Sequence, residues 1–136
     1  MALYGLDTAD PKSGPAEAVR GAQQMLERLD QLNYRLRGDL SEPLRIGIGI
    51  HFSEAIVGAM GPPRSQVITA IGDAVNTCAR LESLTKDYGC AVVISRQAAE
   101  AAGLSLDGTE LHEAPIKGRR EPVQFYALKT AADLQI

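Results

Sequence analysis

The chain has 136 residues, 45% of them hydrophobic, enough for one globular domain with a core and too few for two ordinary ones. Lys and Arg number 14 against 17 Asp and Glu, so no cationic excess exists to hold a polyanion, which argues against nucleic-acid binding. No uncharged apolar run reaches the roughly 18 residues a bilayer span needs, and the start MALYGLDTADPKSG has no basic leader before an apolar core; a cytoplasmic chain with no membrane segment is expected.

In chain order, Val19, Ala22, Met25, Leu26, Leu29, Leu32 and Leu36 recur at helical spacing and predict a helix from Pro15 to Arg37, with Pro15 at its first position and Gly38 as its stop. LRIGIGIHF places Leu44, Ile46, Ile48, Ile50 and Phe52 on one face of a strand and Gly47 and Gly49 on the other, a face something packs against closely. EAIVGAMG and SQVITAIG read as paired strands across the GPPR turn, and a helix from Asp73 to Asp87 follows, ended by Gly89. Asp73, at the strand-to-helix junction, is expected as that helix's N-cap. CAVVIS is a short buried strand, RQAAEAAG a short helix, and LSLDGTELHEAPIKGRREPVQFYAL two strands joined through a charged bend. Strands alternating with helices predict a sheet covered on at least one face. The residues after Leu128 are too few to assign.

Cys78 and Cys90 form no CxxC pair, and Cys78 falls on the apolar side of its helix, so both read as buried free thiols. His51 and His112 lack companions at metal-ligand spacing, and GIGIHF lacks the third glycine of a dinucleotide fingerprint. KGRR is too small a basic cluster, in a chain this poor in aromatics, to indicate a nucleic-acid contact. The informative stretch is ITAIGDAVNTCARLESL. On a helical wheel Ala74, Cys78, Leu81 and Thr85 cluster on one side, and Asn76 and Arg80 lie nearly opposite. Spacing alone is also satisfied by a solvated face.

The word GDAVNTCARLE, preceded by SQVITAI, resembles the signature of class III nucleotidyl cyclases, the adenylyl and guanylyl cyclase superfamily. LRIGIGIH with AIVGAMG is similar to that family's central strand pair, CAVVIS to the strand after its signature helix, and IKGRREPVQFYAL to its closing hairpin. The resemblance implies an α+β, ferredoxin-like cyclase sandwich over residues 1–128, with 129–136 as a tail. It also implies attack of the ribose 3'-hydroxyl on the α-phosphorus of a nucleoside triphosphate, releasing pyrophosphate. In that reading Arg80 is the transition-state arginine, Asn76 orients the ribose, Thr69 reads the purine and Lys117 contacts the triphosphate. A threonine hydroxyl can accept from an adenine amino group, which favours ATP over GTP.

The family holds Mg or Mn on two aspartates, one in an aromatic-x-Asp word and one in a Gly-Asp hairpin. Neither word occurs here. Asp7 and Asp10 stand in a turn-rich segment, and MALYG resembles the strand just beyond the second metal aspartate. A domain truncated at its N-terminal side is thus expected. Such a chain has no metal carboxylates of its own, so it is expected to bind no metal, to show no cyclase activity alone, and to self-associate through uncovered strands. The competing expectations are a non-catalytic dimerisation or regulatory module on the same scaffold, and a guanylate cyclase fragment. Ser53, where the family usually has Gly, leaves the turn in HFSEAIVG open to question.

Overall fold

The computed structural model describes residues 1–6, 9–10 and 13–136. The elements run α1 (Ser13–Arg35), β1 (Ile48–Ile50), β2 (Ile56–Met60), β3 (Val67–Ile71), α2 (Asp73–Tyr88), β4 (Val92–Ser95), α3 (Arg96–Ala102), β5 (His112–Ala114), β6 (Val123–Leu128) and a closing 3-10 turn, Ala131–Asp133. Four strands form one sheet in the order β1-β4-β6-β5, with β1 parallel to β4 and the other pairs antiparallel. The β2–β3 hairpin is a separate two-stranded sheet.

Strand β4, Val-Val-Ile-Ser, is buried along its whole length, as a continuous apolar run in a central strand should be. Its alternate side chains serve two cores. Val92 and Ile94 meet Val19, Ala22 and Leu26 of α1 and the alanines of α3, while Val93 joins Phe125 and Val123 against Leu81 and Leu84 of α2. Helices therefore cover both faces, giving the α+β sandwich that the sequence implied.

The glycines of β1 explain how α2 comes so close. A Cβ at Gly49 would stand 2.5 Å from both the Cys78 carbonyl oxygen and the Glu82 nitrogen, and one at Gly47 would collide with the Thr85 hydroxyl. Helix backbone rests on strand backbone, the close approach expected from the Gly face.

Several expectations change. The strand foreseen over LRIGIGIHF shrinks to Ile48–Ile50, because β4 pairs with those three residues only. Upstream, Asn33 takes the place of a ladder partner: its Nδ2 donates to the Leu44 carbonyl at 2.9 Å and its Oδ1 accepts from the Leu44 N–H at 2.8 Å. Leu44, Ile46 and Phe52 are 43%, 39% and 40% exposed, so the core-facing alternation holds only within the paired segment. Helix α1 begins at Ser13, which places Pro15 third; the first-turn N–H groups lack helical partners anyway, so the proline costs no bond there. Its last residue is Arg35, ahead of the turn containing Gly38.

Residues 1–6 pair with no strand among the described residues. They lie along α1 instead, where a Cβ on Gly14 would come within 2.8 Å of the Gly5 Cα. Asp7 lies outside the described residues. No described non-glycine residue has positive φ, so the bend at Ser53 does not require glycine. The segment after Leu128 closes the α1 side: Thr130 and Asp133 form a reciprocal capping box, and Leu134 is buried in the core.

Candidate active-site face

Helix α2 starts directly after β3 through Gly72, at φ 137° and ψ 179°, a region open essentially to glycine alone. Gly72 is the N-cap. Asp73, expected in that role, is the first helical residue and its carboxylate makes no capping bond. The abrupt turn demands glycine at the cap position, which moves Asp73 one place inward, where it acts on the helix dipole.

From that start Thr77, Leu81, Leu84 and Thr85 are buried against the sheet, while Asn76 and Arg80 are exposed. The Arg80 guanidinium forms no ion pair among the described residues, and its one hydrogen bond is a long 3.4 Å contact from Nη1 to the Ser83 hydroxyl. Asn76 makes no side-chain hydrogen bond among the described residues. Both groups face outward together and uncommitted.

Thr69 is on β3, opposite Gly58 of β2 and on the same hairpin face as Val67 and Ile71. A side chain at Gly58 would meet nothing within 4 Å, so the space before the Thr69 hydroxyl is open. Lys117 occupies the second position of a turn closed by donation from the Arg119 N–H to the Ile116 carbonyl at 3.0 Å, with Gly118 at φ 87° completing it. Ile116 is buried beside Leu81 and Leu84 of α2. On the far side of Lys117, Arg119 Nη1 donates to Thr77 Oγ1 at 3.3 Å. The structure thus joins the elements bearing Asn76, Arg80 and Lys117, while Thr69 stands on the hairpin entering α2. No hydrogen bond links the four side chains directly among the described residues.

Behind this face sits His51, which the sequence showed only to lack metal-ligand companions and whose partner it did not reveal. His51 Nδ1 is 2.9 Å from the hydroxyl of fully buried Ser95, which also accepts from the Ala98 N–H as the cap of α3. Burial, reinforced by the Arg119 charge, pushes the His51 pKa down to about 4, so the ring is neutral and the Ser95 hydroxyl can donate to it. Cys78 donates its thiol to the Gly49 carbonyl at 3.2 Å, and burial raises its pKa. Both cysteines are free and half-buried. Only the length of the apolar run ending at His51 could have signalled the packing; the partner Ser95 lies 44 positions away. A groove of about 650 Å³ lined by Leu26, Leu44, Glu82, Lys86 and Lys129 lies elsewhere, and none of the four candidate residues borders it.

Two cationic and two neutral side chains make a donor set for phosphoryl and sugar oxygens and repel a metal ion. No group of three His, Cys, Asp or Glu among the described residues could hold one. The residues present therefore do not fit the divalent metal that the cyclase resemblance implies.

Residues 1–130 match the family model for the adenylate and guanylate cyclase catalytic domain. The chain is 31% identical over 129 residues to the terminal-differentiation specific adenylate cyclase of Dictyostelium discoideum, covering 93% of this chain and 6% of that protein. It is 32% identical over 126 residues to adenylate cyclase 1 of Rhizobium meliloti, covering 93% of this chain and 19% of that one. Among solved structures, the guanylyl cyclase Cya2 superposes with a TM-score of 0.77 at 28% identity, over 93% of this chain and 63% of the other. The chain thus spans a small part of those curated relatives.

Proposed function

Because the chain belongs to the adenylate and guanylate cyclase catalytic domain family, we propose that it presents the nucleotide-binding face of an adenylate cyclase catalytic dimer, converting ATP to cyclic AMP and pyrophosphate. Arg80 receives charge developing on the α-phosphoryl oxygens and leaving group, where a planar donor fork lowers the barrier more than it strengthens ground-state binding. Asn76, one turn away, orients the ribose. Lys117 holds the β- and γ-phosphates as a compact charge, and the Thr69 hydroxyl accepts from the purine amino group. The carboxylates for Mg or Mn come from the facing chain. Alone, this chain is inactive.

The observation that supports this reading is the exposed Asn76–Arg80 pair, which no neighbouring carboxylate among the described residues neutralises. The test mixes the chain with a full-length cyclase whose own counterparts of Asn76 and Arg80 are mutated. Cyclic AMP formation restored by the wild-type chain, and not by its Arg80→Ala variant, supports the proposal; no restoration counts against it.

A second reading, a non-catalytic pairing module, draws on the exposed apolar β2–β3 hairpin. Titration calorimetry separates the two. A pairing module gives no heat with a non-hydrolysable ATP analogue, and Arg80→Ala leaves its partner affinity unchanged.

A further inference from the structure

The geometry assigns to Arg119 the role of a positioning residue that aims Lys117 at the face carrying Asn76 and Arg80. This rests on the nucleotide reading proposed above. Lys117 sits at the exposed apex of a four-residue turn whose two ends are both fixed to α2. At one end Ile116 is sunk among Leu81, Leu84 and Phe125. At the other, the Arg119 guanidinium reaches across 42 positions of sequence to the hydroxyl of Thr77, a fully buried residue.

Thr77 directly follows Asn76 and precedes Arg80 by three positions, so the bond ties the turn to the very turn of helix that bears both groups. One apolar anchor leaves a short turn free to pivot. A second, polar anchor on the opposite side removes that freedom, and the flexible Lys117 stem then has a fixed base. Arg119 also lies close enough to His51 for its charge to disfavour the imidazolium, while its side chain as a whole stays exposed. Its task is to hold, while Lys117 makes the contact.

The experiment compares wild type with Arg119→Ala, Arg119→Lys, Thr77→Val and the Arg119→Ala/Thr77→Val double variant, using a non-hydrolysable ATP analogue and AMP as calorimetric probes. One lost hydrogen bond of this kind should weaken the ATP analogue by about three- to tenfold. Arg119→Ala and Thr77→Val should do so equally, the double variant no further, and AMP, which lacks the phosphates Lys117 holds, should bind unchanged. Arg119→Lys should recover part of the loss. Amide hydrogen exchange at Lys117 and Gly118 should speed in both single variants while α2 stays protected. Loss confined to Arg119→Ala would overturn the proposal, because Arg119 would then touch phosphate itself. Equal loss of AMP, additive losses, or unchanged exchange would overturn it too. Should wild type bind neither nucleotide, the substrate reading fails, and the exchange data alone still decide whether the turn is clipped.

Discussion

Arg80 shows how little the fold asks of some residues. Its side chain is exposed and, among the described residues, held by one long hydrogen bond, so Arg80→Ala should change unfolding free energy by less than about 0.5 kcal/mol. In the mixed dimer the same change should lower turnover by about a hundredfold or more, the usual effect of deleting a donor to developing charge. Urea titration beside a complementation assay checks both, and a destabilised variant would mean that Arg80 serves the fold. Gly49 is the reverse case. A methyl group there meets backbone atoms of α2 at 2.5 Å, and backbone cannot swing aside. Gly49→Ala should cost about 2 kcal/mol or more by overpacking and shift α2 bodily; circular dichroism melts that match wild type would refute the close-packing account.

Among the elements, the β2–β3 hairpin departs most from ordinary surface chemistry. Ile56, Val67, Ile68 and Ile71 are 72%, 66%, 68% and 53% exposed, and Ile56 directly opposes Ile71, so a branched apolar pair faces outward beside Thr69. Such patches mark contact with another molecule. Ile56→Ser with Ile71→Ser should reduce self-association in sedimentation velocity and leave the melting temperature near wild type; undiminished association would place the contact elsewhere. The sequence made the element types readable because β4, α2 and α3 have strong local patterns, with Gly72, Gly89 and Gly103 punctuating them. It also disclosed the Asn76–Arg80 face, since a helix's inner side follows from spacing alone. What stayed hidden depends on distant partners. Asn33 binding the Leu44 backbone, Arg119 reaching Thr77 and His51 meeting Ser95 leave no periodic trace. The extent of β1 was likewise set by a strand more than 40 positions away.

For the molecule as a whole, His51 couples these pieces to pH. It stands just past β1, bonds the cap of α3, and feels the Arg119 charge from the β5–β6 turn, so protonation would set a cation among groups arranged for a neutral ring. Its folded pKa of about 4 lies below the ordinary imidazole value of 6.5. Between those values the unfolded chain binds a proton that the native chain refuses, and stability must fall as pH drops through that window. Above about 6.5 both states are neutral and this contribution is complete; below about 4 both are charged and no further loss comes from this group. The ring is only partly buried, so solvent screening keeps the effect below the full shift. Urea midpoints measured from pH 7 down to pH 4.5 should decline for wild type, and His51→Gln, whose amide can still bond the Ser95 hydroxyl without titrating, should flatten that decline. If the variant's curve ran parallel to wild type, other groups would govern the acid response, and the neutral histidine would have no part in holding β1, α3 and the Lys117 turn together.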